Sequence, residues 1–357
     1  MGGTAGWILV LIEGLERHGI EAPFVCGEVE DGEVEDSRVI SLSPIRIRTL
    51  RRRISIKNDF VTFWVLRKTI RKQSPDLVAT HTAKAGLIGR LATFSIFRNR
   101  PATVHTFHGH LFDGYFSPRI SKSIIWIERK LASRTDMLIA AGERVKDDCL
   151  SAGIGIKNDF RVISPGVEIK KFIKKSESRN RLDISNNEFV VGWLGRLSPI
   201  KNPQVVLDLA KTFPEITFLI GGGGPLQSEL ELKKSRNVKL VGWTTPEEFW
   251  PACDIAILTS LNEAQPLSVI EAAQCGIPTI ATNVGSVSEV ILNDVTGYIV
   301  NELKQFQEKL EMLKSSNALR GSLGEAAKHR ALNNFSTNQF VTSHIDAYQD
   351  LVRRIKC

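Results

Sequence analysis

Short apolar runs rich in β-branched residues alternate along the chain with segments whose apolar positions recur every three to four residues. In the first half the runs are APFVCG (22–27), DLVATH (76–81), ATVHTF (102–107), DMLIAAG (136–142) and FRVISPG (160–166). In the second half they are FVVGWLG (189–195), TFLIGGG (217–223), VKLVGW (238–243), DIAILTS (254–260), PTIATN (278–283) and TGYIV (296–300). Most precede a helix-length segment such as NPQVVLDLAKTF (202–213). Near-continuous apolar strands are buried on both faces, so their alternation with helices predicts an α/β fold with parallel sheets covered on both sides. The polar stretch KKSESRNRLDISNNE (174–188) divides the pattern into two doubly wound domains facing each other across a cleft. The expected boundaries are 1–168, a linker over 169–188, and 189–334. FSTNQFVTSHIDAYQDLVRRI (335–355) reads as a final amphipathic helix within a terminal element, 335–357. Ligands of such sheets bind beyond the carboxyl ends of the strands.

The start of the chain breaks this pattern. A helical segment, TAGWILVLIEGLERHG, begins by Thr4, where a doubly wound domain normally opens with a strand. Gly2-Gly3 looks like the turn that follows such a strand. The pattern favours an incomplete N-terminus over a domain built with one strand fewer.

Composition adds limits. The 357 residues are 42% hydrophobic and 24% charged, an ordinary globular balance and enough chain for two domains. The five cysteines (Cys26, Cys149, Cys253, Cys275, Cys357) are scattered and form no CxxC pair. That argues against a disulfide framework or structural zinc and fits a reducing, cytoplasmic setting. No basic stretch precedes the first apolar run, and no apolar stretch approaches the roughly 18–20 residues that span a bilayer. The expected place is the cytoplasm, or the inner face of the membrane as a peripheral protein. Net charge is +8 with a pI near 9.2, and Arg46, Arg48, Arg51, Arg52, Arg53 and Lys57 fall within twelve residues. Nucleic acid, an anionic membrane face, anionic small molecules or a merely solvated loop all fit that cluster. The chain shows no RRM-like, KH-like or zinc-finger pattern, which sets nucleic acid aside.

Candidate chemistry gathers after the strands. In NEAQPLSVIEA (262–272), Glu263 falls in a strand-to-helix loop, Pro266 suits the first helical position, and Gly276 supplies the stop after a helix over 267–275. Glu271 then lies about one and a half turns into the helix. Between the two acids are the free N–H groups of a helix start, an anion site. The same pattern also describes a helix with an N-terminal acid and one surface Glu. GRLSPIK (195–201) follows FVVGWLG: Gly195 permits close backbone approach, while Arg196 and Lys201 offer two cations to a diphosphate. GGGGP (221–225) again follows a strand and permits a tight turn near a ligand. It is neither GxGxxG with a following acid nor GxxxxGK[ST], so a nicotinamide cofactor is poorly supported and an ATP-hydrolysing P-loop excluded. THTAKAG (80–86) and VHTFHGH (104–110) hold four of the seven histidines: His81, His105, His108 and His110. Alternation along a strand end points them to different faces, which favours a polar site wall over a metal site.

Together these motifs resemble the retaining glycosyltransferases of family 4, of GT-B architecture, over nearly the whole chain. The resemblance rests on E-x7-E at Glu263–Glu271, GRLxxxK at 195–201, GxGP within 221–225 and NVGSVSEVI (283–291). HTAKAGLIGRLA (81–92) and HTFHGHLFDGYFS (105–117) are similar to a bacterial subgroup that builds surface polysaccharides and lipid-linked glycans.

The resemblance implies two facing Rossmann-like domains, the first lacking its first strand, with the last helix crossing back to the first domain. It implies transfer of a sugar from a UDP- or GDP-sugar to an acceptor hydroxyl with retention, without metal or cofactor. Arg196 and Lys201 would hold the diphosphate, Glu271 the ribose, and Glu263 the hydroxyls of the transferred sugar. The backbone of Gln265, Pro266 and Leu267 would lie against the distal phosphate or sugar, with Gly195 and Gly223 lining the donor site. His108 would sit beside the donor sugar and Gly3 near the phosphates and acceptor. Ala264 departs from the glycine usual after the first Glu and narrows that loop. A two-domain nucleotide-sugar epimerase, and a non-catalytic sugar-nucleotide-binding protein, are the competing expectations.

Overall fold

The fold is described from a computed structural model of the chain, covering residues 3–29, 37–51, 53–109, 118–167, 169 and 171–356. His110, Arg52 and the end of the HTFHGHLFDGYFS string lie outside the described residues. The chain divides into two compact units, one of residues 1–166 with 337–357, the other of residues 167–336.

The first unit runs α1 (Gly3–Arg17), β1 (Val25–Cys26), α2 (Ser37–Ser41), β2 (Ile45–Arg46), α3 (Ile56–Gln73), β3 (Leu77–His81), α4 (Ala83–Phe94), β4 (Ala102–Phe107), α5 (Pro118–Ala132), β5 (Met137–Ala140), α6 (Glu143–Ser151) and β6 (Phe160–Val162). The second runs α7 (Lys175–Arg181), β7 (Val190–Leu194), α8 (Gln204–Thr212), β8 (Thr217–Gly221), α9 (Gln227–Lys233), β9 (Val238–Gly242), α10 (Pro246–Phe249), β10 (Ile255–Leu258), α11 (Leu267–Gln274), β11 (Thr279–Thr282), α12 (Val287–Val290), β12 (Gly297–Val300), α13 (Leu303–Ser315) and α14 (Asn317–Asn334). Helix α15 (Thr337–Lys356) belongs to the first unit, where it packs on α1.

In the first unit β3-β4-β5-β6 form a parallel sheet in chain order, and β1-β2 form a separate parallel pair. Every residue of β4 and β5 is buried; β5 reads as an unbroken apolar run, while β4 also buries Thr103, His105 and Thr106. One face carries Trp7, Leu11 and Leu15 of α1 with Phe340, Val341 and Leu351 of α15. The other carries Leu66 and Ile70 of α3 with Ile88 and Ala92 of α4.

In the second unit the order is β12-β11-β10-β7-β8-β9, all parallel. Chain order runs outward to one side from β7 to β9 and to the other from β10 to β12. The reversal between β7 and β10 is a topological switch point, where loops leave in opposite directions and open a crevice at the carboxyl edge.

Two local expectations change. Arg46 is not in a loop: Ile45 and Arg46 form β2, paired to Val25 and Cys26, a strand too short and too basic to show a period. The polar stretch after residue 174 is also more than a connector. It contains α7, whose Arg179 is buried and bonds the carbonyls of Ala252, Ser185 and Asn186 and the Asp254 carboxylate.

Candidate functional site

The loop after β7 and the loop after β10 meet at the switch point. The Leu261 N–H donates to the Ile200 carbonyl at 2.8 Å. The Thr259 hydroxyl donates to the Lys201 carbonyl at 3.0 Å and accepts from the Trp193 indole N–H at 3.0 Å. These bonds bring the Lys201 ammonium to 2.5 Å from Glu263 Oε1, and the Ser260 hydroxyl donates to the same oxygen at 2.6 Å. Glu263 is only 9% exposed, so its charge needs those partners. An ammonium has three donors and this pair uses one, which leaves Lys201 able to meet a second anion. Arg196 lies exposed in the same loop.

Helix α11 starts at Leu267, the first residue of the expected helix. Pro266 (φ −72°, ψ 116°) caps it, and Leu267 is the first helical residue. The Pro266 carbonyl accepts from the Val269 and Ile270 N–H groups, so the N–H groups of Leu267 and Ser268 precede the helix's own bonding. The helix ends at Gln274, one residue short of the expected Cys275, and Gly276 at φ +78° turns the chain away. The Gln265 side-chain N–H donates to Glu289 Oε2 at 2.7 Å, which orients the amide. Its carbonyl oxygen is then buried with no hydrogen-bond partner among the described residues. Burial pushes Glu271 up to about 7, with a weak bond from the Trp250 indole N–H (3.5 Å) opposing and Glu247 adding to the rise.

The glycine run is held by packing. A Cβ on Gly222, at φ +119°, would lie 1.9 Å from the Gly195 carbonyl oxygen. The turn after β8 is therefore pressed onto the turn after β7, with Gly195 N–H bonded to Gly221 O and Leu197 N–H to Gly223 O, each at 3.0 Å. On Gly223 a Cβ would come 2.6 Å from the half-exposed indole of Trp243.

In the first unit His108 follows β4 and faces His81 at the end of β3, with Nδ1 of His81 2.9 Å from Nε2 of His108. Trp7 of α1 meets His108 edge-to-face at 5.0 Å and His344 at 5.9 Å. His105 points to the other side of the sheet, beneath Gly86, and pairs with the Thr80 hydroxyl at 2.9 Å. That hydroxyl donates to the Val104 carbonyl, so His105 Nδ1 carries the proton. The described residues hold no cluster of three or more His, Cys, Asp or Glu side chains able to grip a metal. Gly3 is the first residue of α1.

Burial holds all four histidines neutral. His81 falls to about 3, with His344 adding to the shift, and His344 falls to about 4. His105 and His108 fall well below their ordinary value, through burial first and neighbouring cations and histidines second. The unfolded chain takes up these protons near pH 6.5 and the folded chain does not. Their contribution is thus complete above pH 6.5 and lost as pH falls, down to about 4 for His344 and about 3 for His81. For buried His105 and His344 the slope is about 1.4 kcal/mol per histidine per pH unit. Calorimetry should show the first unit's melting temperature dropping steeply between pH 6.5 and 5. A flat profile there would mean the histidines protonate without cost.

The second unit therefore gathers Gly195, Arg196, Lys201, Gly223, Glu263, Gln265, Pro266, Leu267 and Glu271 at the loops following β7, β8 and β10. His108 and Gly3 belong to the first unit. Sequence reasoning missed Ser260, Trp250 and Glu289 as partners of these residues, since each reaches its partner through tertiary packing. Trp243 beside Gly223 was also missed.

Two family models divide the chain: Glycosyltransferase Family 4 matches residues 1–171 and Glycosyl transferases group 1 matches residues 174–330. A UDP-Gal:α-D-GlcNAc-diphosphoundecaprenol α-1,3-galactosyltransferase of Escherichia coli is 28% identical, over 90% of this chain and 88% of its own length. The capsular polysaccharide biosynthesis glycosyltransferase CapM of Staphylococcus aureus is 24% identical, over 91% and 89%. Among solved structures, Anabaena HepE in complex with UDP and glucose superposes with a TM-score of 0.82 at 21% identity, covering 98% of this chain and 96% of that one. Sucrose-phosphate synthase of Thermosynechococcus elongatus gives 0.86 at 18% identity, covering 99% and 94%. These two likenesses concern the fold.

Proposed function

We propose that this chain, which belongs to the family 4 and group 1 glycosyltransferases of GT-B fold, moves a hexose or N-acetylhexosamine from a UDP-sugar to a lipid-linked glycan, with retention at the anomeric carbon. The observation that carries the reading is the switch-point edge of the second unit. Arg196, Lys201, buried Glu263, the start of α11 and Glu271 all gather there. UDP is favoured over GDP because the Escherichia coli relative is named for a UDP donor and an undecaprenyl diphosphate-linked acceptor. No helix among the described residues is long and apolar enough to cross a membrane.

The hard step is departure of the diphosphate while the sugar becomes oxocarbenium-like. Arg196, Lys201 and the first N–H groups of α11 face developing negative charge, and such donors are worth roughly 3–4 kcal/mol each. With these cations in place the proposed reaction uses no metal. Glu263 is a poor covalent nucleophile: one of its oxygens already accepts from Lys201 and Ser260, and its role is to hold sugar hydroxyls. The buried Gln265 carbonyl oxygen, without a hydrogen-bond partner among the described residues, offers another acceptor in the same loop. Glu271 accepts the ribose hydroxyls. Attack from the face the diphosphate leaves, with a donor phosphate oxygen taking the acceptor proton, is the route that needs no further base.

The test is nucleoside diphosphate release from UDP-, GDP- and ADP-sugars, with and without a lipid extract containing undecaprenyl diphosphate-linked sugars. We expect release from one UDP-sugar, stimulated by the extract, and lost in Arg196→Ala and Glu271→Ala. Release from a GDP-sugar instead would overturn the donor assignment, and folded protein that releases nothing would overturn the reading as a whole.

A further inference from the structure

The loops after β10 and β11 are tied into one body. The Thr282 hydroxyl donates to the Ser260 carbonyl at 2.7 Å, and the Ser286 N–H donates to the Glu263 carbonyl at 3.2 Å. Side chains make the third tie, where the Gln265 amide donates to Glu289 Oε2 at 2.7 Å. Glu289, in α12, is held from behind, because Arg330 of α14 donates to the Glu289 and Val290 carbonyls at 2.6 and 3.0 Å. A primary amide has an NH2 that donates and an oxygen that accepts, and its partner sets which way it points. A carboxylate can take only the NH2. Glu289 therefore decides which end of Gln265 is left over, and that end is the acceptor. Gln265 is 7% exposed, and its Oε1 has no hydrogen-bond partner among the described residues. Ser286 is fully buried, and its hydroxyl is without such a partner as well. Buried polar side chains are nearly always bonded, and these two stand on the two loops that meet at the backbone of Glu263.

We propose that Gln265 and Ser286 together read one hydroxyl of the transferred sugar, with Glu289 as the positioning residue that presents the Gln265 oxygen to it. The hydroxyl donates to Gln265 Oε1 and accepts from Ser286 Oγ, a pairing that only an O–H completes. A hydrogen in its place leaves both protein groups unbonded, and an ether or ester oxygen leaves the Gln265 oxygen unbonded. A site built this way rejects the analogue that lacks the hydroxyl, because its own polar groups are stranded. Neither atom is open to solvent, so the two loops adjust around the bound sugar. The substrate class is thus a donor sugar with a free hydroxyl at that position, selected against deoxy, acylated and alkylated ones. The proposal rests on the sugar-transfer reading, with Glu263 facing the sugar, and adds the selection among donors.

The experiment measures kcat/KM for the sugar nucleotide that the donor panel identifies, and for analogues in which each sugar hydroxyl in turn is replaced by hydrogen. The electronic effect of each replacement cancels when enzymes are compared on the same analogue. Wild type should reject one deoxy analogue more than the rest. Gln265→Met and Ser286→Ala should each lower kcat/KM for the parent donor by about tenfold or more, and leave it nearly unchanged for that same analogue. Glu289→Gln frees the Gln265 amide to turn and should narrow the same discrimination. The exchanged pair Gln265→Glu/Glu289→Gln places the donating amide at position 289 and keeps an acceptor oxygen at position 265, so it should widen the discrimination again. A merely structural Glu289 would give no such rescue. Losses equal for the parent and every analogue, or an exchanged pair that discriminates no better than Glu289→Gln, would overturn the proposal. The two buried atoms would then bond an ordered water or serve packing alone, and turnover by the wild type would leave the transferase reading standing. A wild type that neither binds nor turns over any sugar nucleotide takes both readings down.

Discussion

Lys201→Met should lower kcat/KM for sugar transfer by about a hundred- to a thousandfold, the range for removing one donor aimed at developing charge. The structure adds a second consequence. Lys201 is the ammonium partner of Glu263, a carboxylate only 9% exposed, and the methionine leaves that charge with the Ser260 hydroxyl as its remaining side-chain partner among the described residues. The variant should therefore also lose stability, by about 1–3 kcal/mol. Glu263→Gln separates the two effects: it removes the buried charge and retains a group able to bond sugar hydroxyls. In the double variant Lys201→Met/Glu263→Gln the stability should return while the activity stays low. If activity returns as well, Lys201 serves merely as the counter-ion of Glu263, and its assignment to the diphosphate fails. Steady-state kinetics with the donor that the panel of sugar nucleotides identifies and a melting curve for each variant decide the matter.

Glu128→Leu should destabilise the first unit by about 3–5 kcal/mol, lowering its melting temperature by about 10 °C. Arg90 of α4 and Glu128 of α5 form an ion pair with side chains 0% and 3% exposed. The Arg90 Nη2 group donates to both carboxylate oxygens, at 2.8 and 2.7 Å. Its Nε–H bonds the Gly86 carbonyl, while Nη1 is buried with no hydrogen-bond partner among the described residues. Burial pushes the guanidinium down and the carboxyl up, and mutual attraction opposes both shifts. Removing one partner strands a charge where water cannot reach it. Replacing both, as Arg90→Met/Glu128→Leu, should recover most of the loss, because two desolvation costs vanish together. A Glu128→Leu protein that melts with the wild type would mean that Arg90 finds water.

The strand pattern was legible because burial on both faces writes itself locally. β4, β5, β8 and β10 are wholly buried; β5 and β10 stand in the sequence as unbroken apolar runs, and β8 as one after Thr217, while β4 mixes in Thr103, His105 and Thr106. β2 left no such mark. It has two residues, one an exposed arginine, and it exists because Val25 and Cys26 offer a bonding edge. Helix ends were legible to within a residue, since Pro266 and Gly276 act through their own backbone angles. The glycine run was legible as a tight turn but not as a packing contact. The carbonyl that forbids a side chain on Gly222 comes from Gly195, 27 residues earlier.

The candidate site divides in the same way. Its residue types and their place in loops after strands were determined by the sequence, through apolar period, Gly and Pro signals and motif spacing. Which of them touch was decided by strand order. Lys201 and Glu263 are 62 residues apart and meet because β7 lies beside β10. His81 meets His108 because β3 lies beside β4, and Arg90 meets Glu128, 38 residues on, because α4 packs on α5. A residue's own neighbours along the chain determine whether it is buried and how its backbone turns. Its partner across the fold depends on which surfaces bury each other, a property of the whole packed unit that no local window contains.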